Sequence, residues 1–314
     1  MTQPAPAPFS TYDSIGQRED LSDLIYMISP YDTPFITGVP KVSATGVLHE
    51  WQTDILAVAA QNAQIEGDDV DTVVGVATTR LTNQSQIAFK APRVTGTQEA
   101  VLKAGRRSEM KYQIRKRSLE IRRDMEFDVC ANNAKAAGND TTARELGGLG
   151  SWIATNTQFG TGGSASAGTG ADATTDGTQR DFTEAMLLQA SQECWDQGGD
   201  PDCLMVGSRN KRRVSTFMGN ATRQKDAMDR RLVAVIDIYD SDFGEFEIIP
   251  NRFQPARSAF LIQKSMWAIA YLRPFRLTPL SKTGDTDRKL LITEYTIEAR
   301  QEAASAAIYD LTTT

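Results

Sequence analysis

The 314-residue chain is long enough for about two domains, and its 40% hydrophobic content supplies at least one buried core, so a disordered chain is excluded. A formal net charge of −6 is mild and excludes a composition-wide nucleic-acid or membrane binder; local charge must be read separately. Cys130, Cys194 and Cys203 form no CxxC pair, fit a reducing compartment and read as small buried hydrophobes.

Met1 to Ser10 is Pro/Ala-rich, without a basic start or an apolar run. No later stretch approaches the about eighteen apolar residues of a membrane span, so a soluble chain with no cleaved signal and no membrane partner is expected. Leu21, Leu24, Ile25 and Ile28 share one helix face, and Ser29-Pro30 stops that short anchor. Thr33-Pro34 and Val39-Pro40 then predict an extended connector, because the residue before a proline is pushed out of the helical region.

From Gly46 to Ile55, Val47, His49, Trp51, Thr53 and Ile55 alternate with Leu48, Glu50, Gln52 and Asp54, the period of a strand. Arg80 to Val94 repeats the pattern more weakly through Leu81, Ile87 and Phe89, and an acidic turn from Glu66 to Asp71, with Asp68 and Asp69, separates the two. The spacing predicts a long antiparallel arm. At about 25 cal/mol per Å² its Gln, Asn, Thr and Ala content cannot offset the entropy of ordering it, so contacts outside the arm must hold it.

A long helix is predicted from Arg106 to Ala134, with Met110, Ile114, Ile121, Met125 and Val129 in one stripe and no Pro or Gly between them. Between Lys103 and Arg123 lie nine Lys/Arg against two acids, a window of +7 in a chain whose remainder carries −13. Its cations, Arg106, Arg107, Lys111, Arg115, Lys116, Arg117, Arg122 and Arg123 among them, suit either phosphates or the acidic surface of a neighbouring subunit. No interleaved aromatics or recognition module accompany them, so any nucleic-acid contact would be non-specific.

Beyond the helix, Phe159 to Thr178 reads as an exposed, mobile Gly/Ser/Thr/Ala loop. Asp181 and Glu184 form a capping-box-like pair before a helix from Ala185 to Trp195, which Gly198-Gly199 ends. Strands are expected at Cys203–Val206, Leu232–Tyr239, Glu245–Ile249, Ala259–Ile262, Ala268–Leu272, Arg276–Leu280 and Lys289–Arg300, with a helix at Ser208–Met218. Pro274 should divert the chain, and the last strand, alternating Leu291, Thr293, Tyr295 and Ile297 against Ile292, Glu294, Thr296 and Glu298, fits a sheet with one solvated face. The class is α+β.

Chemistry is poorly supplied. His49 is the only histidine, set in the polar arm, which removes His-based triads and zinc sites and reads better as a strand histidine at a subunit contact. Gly160 to Ala165 matches G-x-G-x-x-A, but no helix follows to receive a pyrophosphate. Asp68, Asp69 and Asp71 lack calcium-loop spacing. No catalytic residue, cofactor or metal is expected.

Several segments carry a resemblance: Glu19 to Phe35; Arg144 to Ile153; Ser241 to Gly244 with Ile248 to Arg252; and Trp267 to Pro274. In this order, with an N-terminal arm, a two-strand loop and a long helix, they resemble the major capsid (major head) proteins of tailed bacteriophages. The fold of that group is HK-97-like, and the nearest family is the SU-ten-like major head proteins. The resemblance implies an N-terminal arm at 1–45, an extended hairpin loop at 46–96, and a peripheral domain with its spine helix at 97–150. A Gly/Ser/Thr-rich loop at 151–180, a compact axial domain at 181–270, and return strands with the C-terminus at 271–314 would follow. It also implies hexamers and pentamers of one chain in an icosahedral shell around double-stranded DNA, assembled in the host cytoplasm, with portal, scaffolding and decoration proteins as further partners. His49, Trp51, Asp68, Asp69, Asp71 and Phe89 would then be inter-subunit arm residues. Two other functions fit less well: an encapsulin-like compartment shell of the same fold, and a soluble hydrolase using carboxylate pairs.

Overall fold

A computed structural model describes residues 32–67, 75–103, 105–217 and 238–313. The anchor around Leu21 to Ile28, the acids Asp68, Asp69 and Asp71, and most of the 232–239 strand lie outside the described residues. In chain order the elements are α1 (Pro34–Gly38), β1 (Lys41–Ser43), β2 (Leu48–Thr53), β3 (Thr79–Gln84), β4 (Gln86–Lys90), β5 (Arg93–Thr95), α2 (Gly96–Ala100), α3 (Glu109–Cys130), α4 (Leu149–Trp152) and β6 (Thr157–Gln158). There follow α5 (Glu184–Asp196), β7 (Cys203–Val206), α6 (Ser208–Val214), β8 (Ile238–Ser241), β9 (Gly244–Pro250), β10 (Ala259–Ile262), β11 (Trp267–Leu280), β12 (Thr286–Ala299) and β13 (Ala306–Ile308).

Strand β7 is apolar throughout because both of its faces are buried. Cys203 and Met205 enter one core with Phe260, Ile262 and Tyr309, whereas Leu204 and Val206 enter a second core with Leu187, Cys194, Val214 and Phe246. The sheet that divides these cores has six strands in the order β6-β13-β10-β7-β9-β8, so β6 and β13 join the 181–270 segment from outside it. Burial raises the Cys194 and Cys203 thiols to about 12 and raises Cys130 as well, which makes all three inert.

A five-stranded sheet, β1-β11-β12-β4 with β5 beside β12, packs its inner face on α3 through Leu291, Tyr295 and Ile297, and β2 with β3 forms a third, two-stranded sheet. The stripe predicted for α3 is the buried one at Met110, Ile121, Met125 and Val129, with Ile114 half-buried. Ser108 caps its start, its Oγ accepting the Lys111 N–H at 3.3 Å, and the helix is about 33 Å long at 1.5 Å per residue. It stops at Cys130, short of Ala134, where Gly148 lies so close that a Cβ there would stand 2.3 Å from the Ala131 carbonyl oxygen.

Other expectations are corrected. The predicted connector at 33–40 contains a helix, α1, with Pro34 in its first turn and Phe35, Ile36 and Val39 buried. The strand expected at 80–94 is three strands: β3 alone pairs with β2, and β4 and β5 pair with β12. Strand β11 runs through Pro274, accommodating it between register shifts at Tyr271/Arg273 and Arg273/Arg276. Helix α5 has Thr183 at its N-cap, without a side-chain cap; Asp181 instead pairs with Arg213 at 3.4 Å, and Glu184 accepts the Tyr239 hydroxyl at 2.7 Å. Helix α6 ends at Val214 rather than Met218.

The 159–178 loop is built rather than mobile. Ser164 and Thr175 form a two-way backbone bridge, and Thr174 N–H donates to Asn132 Oδ1 at 2.9 Å. Asp310, fully buried, accepts the N–H of Gly160 at 2.9 Å and of Gly177 at 2.8 Å, and takes an Arg257 guanidinium N–H at 2.7 Å. Glycine content here serves close approach: Gly170 sits against the Trp152 indole with φ +70.

Candidate assembly surface

The hairpin root is the first component. His49 Nε2 lies 3.0 Å from Glu298 Oε2, and Trp51 Nε1–H donates to the Ala299 carbonyl at 2.7 Å while its ring packs 5.2 Å from Trp152. Asn83, fully buried, donates to the Ile297 carbonyl at 3.0 Å and accepts the Gly147 N–H at 2.9 Å. Lys135 Nζ reaches across to the Thr82 carbonyl at 2.6 Å and the Thr169 carbonyl at 2.9 Å, and burial lowers its pKa. The arm is therefore supported from outside, as its composition requires, but its root takes that support from β12, α4 and the glycine loop of its own chain.

This root also removes the solvated face expected on β12. Glu294 and Thr296 are buried, and Glu294 is shared by Arg144, Arg273 at 2.7 Å and the Ser85 hydroxyl at 3.2 Å. Hydrogen bonding from His49, with Arg300 assisting, holds the Glu298 carboxyl below its usual range against the opposing effect of burial.

Past Thr53 and before Thr79 the described arm residues lie in no strand, and Ile55, Leu56 and Val58 are 81%, 94% and 93% exposed. Phe89 does not belong to this reach. It sits on β4, 61% exposed, opposite Ile292 of β12.

The basic helix is the second component. Arg107, Lys111, Arg115 and Arg122 are exposed, while Arg106 and Arg117 pair locally with Glu109 and Glu120. Lys116 is half-buried, as is Arg123, whose guanidinium stands 6.0 Å from the Phe253 ring. Among the described residues no group of three His, Cys, Asp or Glu is placed to hold a metal ion, and no helix is long and apolar enough to cross a membrane.

Behind these surfaces lies a junction that pattern reading passed over. Glu126, fully buried on α3, accepts the N–H of Phe35 at 2.8 Å and of Ile36 at 3.0 Å, and the Asn251 side-chain amide at 2.7 Å. It caps α1 in place of Thr33 and ties α3 to the end of β9. Its position within the apolar stripe, between Met125 and Val129, is the signal that could have found it; Asp310, between Tyr309 and Leu311, carries the same one.

The family model described as SU10 major capsid protein matches residues 8–312. The chain belongs to that family. It is a major capsid protein of a tailed phage with the HK-97-like α+β fold, and so a component of the virion. A curated relative, the major capsid protein of Escherichia phage Phieco32, is 25% identical over 97% of each chain. In the solved capsid of Cyanophage A-1(L) one chain superposes with a TM-score of 0.63 at 11% identity, covering 97% of this chain and 99% of that one. The capsid of a native GTA particle gives 0.61 at 10% identity over 96% and 97%. Within this capsid protein the resembling segments converge: Arg144 and Arg273 meet on Glu294, and Asn251 meets Glu126.

Proposed function

We propose that copies of this capsid protein close an icosahedral shell as hexamers and pentamers, each arm lying over a neighbour, around double-stranded DNA. The observation that carries the reading is the arm beyond Thr53: an apolar segment left exposed by its own chain is stable only where other surfaces cover it. The peripheral domain is read as the α3 layer with the β1-β11-β12-β4 sheet, and the axial domain as the six-stranded sheet with α5 and α6. Arg107, Lys111, Arg115 and Arg122 supply non-specific contact to DNA or to an acidic neighbour. Assembly takes place in the host cytoplasm, with portal, scaffolding and decoration proteins as further partners.

Electron microscopy and size-exclusion chromatography of the expressed chain test this. Shells of uniform size are expected, and a chain lacking Gln61 to Val73 should stay folded and form none. Normal shells from that deletion would remove the role given to the arm. DNA recovered from nuclease-treated shells produced during infection separates a virion from a cargo compartment.

A further inference from the structure

Near its end α3 carries a large apolar side chain that the described residues leave uncovered. Phe127 is 58% exposed, and one turn back on the same side of the helix Arg123 holds its guanidinium 6.0 Å from the half-buried Phe253 ring. Phe253 is fixed there because its N–H donates to Asn251 Oδ1 at 2.9 Å, while the Asn251 amide donates to Glu126 at 2.7 Å. Phe127 and Phe253 therefore flank the Glu126 tie, one on α3 and the other just past β9, with Arg123 and the exposed Arg252 beside them. No carboxylate among the described residues pairs with either arginine, and Arg123 Nε is buried without an acceptor.

Connectivity and charge name the occupant. Glu126 holds the N–H groups of Phe35 and Ile36, so the chain enters α1 beside the residue that precedes Phe127. From Phe35 back to Ile28 is seven residues, a reach of at most about 25 Å, which ties the 19–28 segment to this surface. There Leu21, Leu24, Ile25 and Ile28 share one helix face, Glu19, Asp20 and Asp23 accompany them, and no Lys or Arg occurs from 19 to 40. An acidic amphipathic segment thus begins within reach of aromatic rings framed by arginines. Other exposed apolar groups suit it less. Val101 and Leu102 lie by the start of α3, where Glu99 accepts the Glu109 N–H, about 25 Å from Glu126, and would need the tether at full extension. Trp195 and Phe243, 5.8 Å apart, stand beside Asp196 and Asp242, which repel acids, and Phe89 lies on the sheet face turned away from α3. We infer that the apolar face of residues 21–28 docks on Phe127 and Phe253 of its own chain, with its acids toward Arg123 and Arg252. So short a tether sets an effective concentration on the order of millimolar, which favours the chain's own segment over that of a second copy. Once docked, the segment closes over the Glu126 tie and keeps water from the junction of α1, α3 and β9.

The inference does not depend on how the shell is built, and its test uses the full chain before assembly. An equal mixture of light and heavy isotope-labelled chains, with benzoylphenylalanine in place of Phe127, is irradiated and digested. Crosslinks from position 127 to residues 19–28 that join like isotopes only are expected. In the chain with its native Phe127, Ile25→Asp should speed amide exchange at Phe35 and Ile36 about tenfold and leave that of β10 unchanged. Mixed-isotope crosslinks to 19–28 overturn own-chain docking in favour of a second copy. Crosslinks that fall elsewhere or are absent, or exchange at Phe35 that Ile25→Asp does not alter, overturn the docking site.

Discussion

The carboxylate of Glu126 accepts the backbone N–H of Phe35 at 2.8 Å, ninety-one residues earlier in the chain. A short helix with proline in its first turn thus obtains its cap from the C-terminal part of the long helix, and Phe35, Ile36 and Val39 become part of the core. Glu126→Ala leaves the buried N–H groups of Phe35 and Ile36 without their acceptor and the Asn251 amide with only Cys130 Sγ at 3.5 Å, and should cost about 2–4 kcal/mol, read as a lowered urea midpoint of the unassembled protomer. Burial raises the pKa of Glu126, outweighing the hydrogen bonds that lower it. Its own titration therefore favours the fold below the ordinary glutamate value and loses that contribution as pH rises through the raised one.

Glu298 has the opposite sign. Its native pKa is depressed from 4.5, so its contribution is present above that value and is lost as pH falls through the depressed one. His49→Ala should flatten this acid-side loss of protomer stability. A stability profile below about pH 4.5 that is the same in variant and wild type would show that the His49 bond does not hold the carboxyl down.

Asp310→Asn should loosen the glycine loop without unfolding the chain. The new amide cannot accept from Gly160, Gly177 and Arg257 together, so at least one buried donor loses its acceptor at a cost of about 1–3 kcal/mol. Amide exchange at Gly160 and Gly177 should accelerate while that of β12 does not.

Two glycines of that loop separate space from backbone conformation. Gly162→Ala, at φ +88 with nothing within 4 Å, should cost about 1 kcal/mol, the price of a left-handed backbone alone. Gly170→Ala adds a Cβ 2.8 Å from the Trp152 ring and should cost about 2–4 kcal/mol. Thermal melts of the two variants report the difference.

Arg115 and Arg122 are exposed, so replacing both with Gln should move protomer stability by less than about 0.5 kcal/mol. If they meet phosphates, the salt dependence of duplex DNA retention should fall by about two contacts. An unchanged slope assigns the basic face to a neighbouring subunit.

Much of this fold was legible in local periodicity. The α3 stripe and the alternation of His49 and Trp51 were visible because burial on one side imposes a period of 3.6 or 2 on neighbouring residues, whereas β7 and β10, buried on both faces, were visible as short unbroken apolar runs. Reading failed where a residue's partner is remote. Glycines at 159–178 look the same in a floppy linker and in a loop pressed against Trp152, and β4 continues β3 without a break in pattern although it pairs with a different strand.

By itself the sequence determined that a long amphipathic helix, a polar hairpin and a mostly apolar set of strands would coexist in one α+β chain, since each is a property of adjacent side chains. Only the tertiary structure decided that the hairpin root belongs to its own β12, that Phe89 faces outward from a sheet, and that Glu126 and Asp310 are hubs. Those outcomes depend on which distant donors satisfy a buried carboxylate, and a linear pattern carries no record of that.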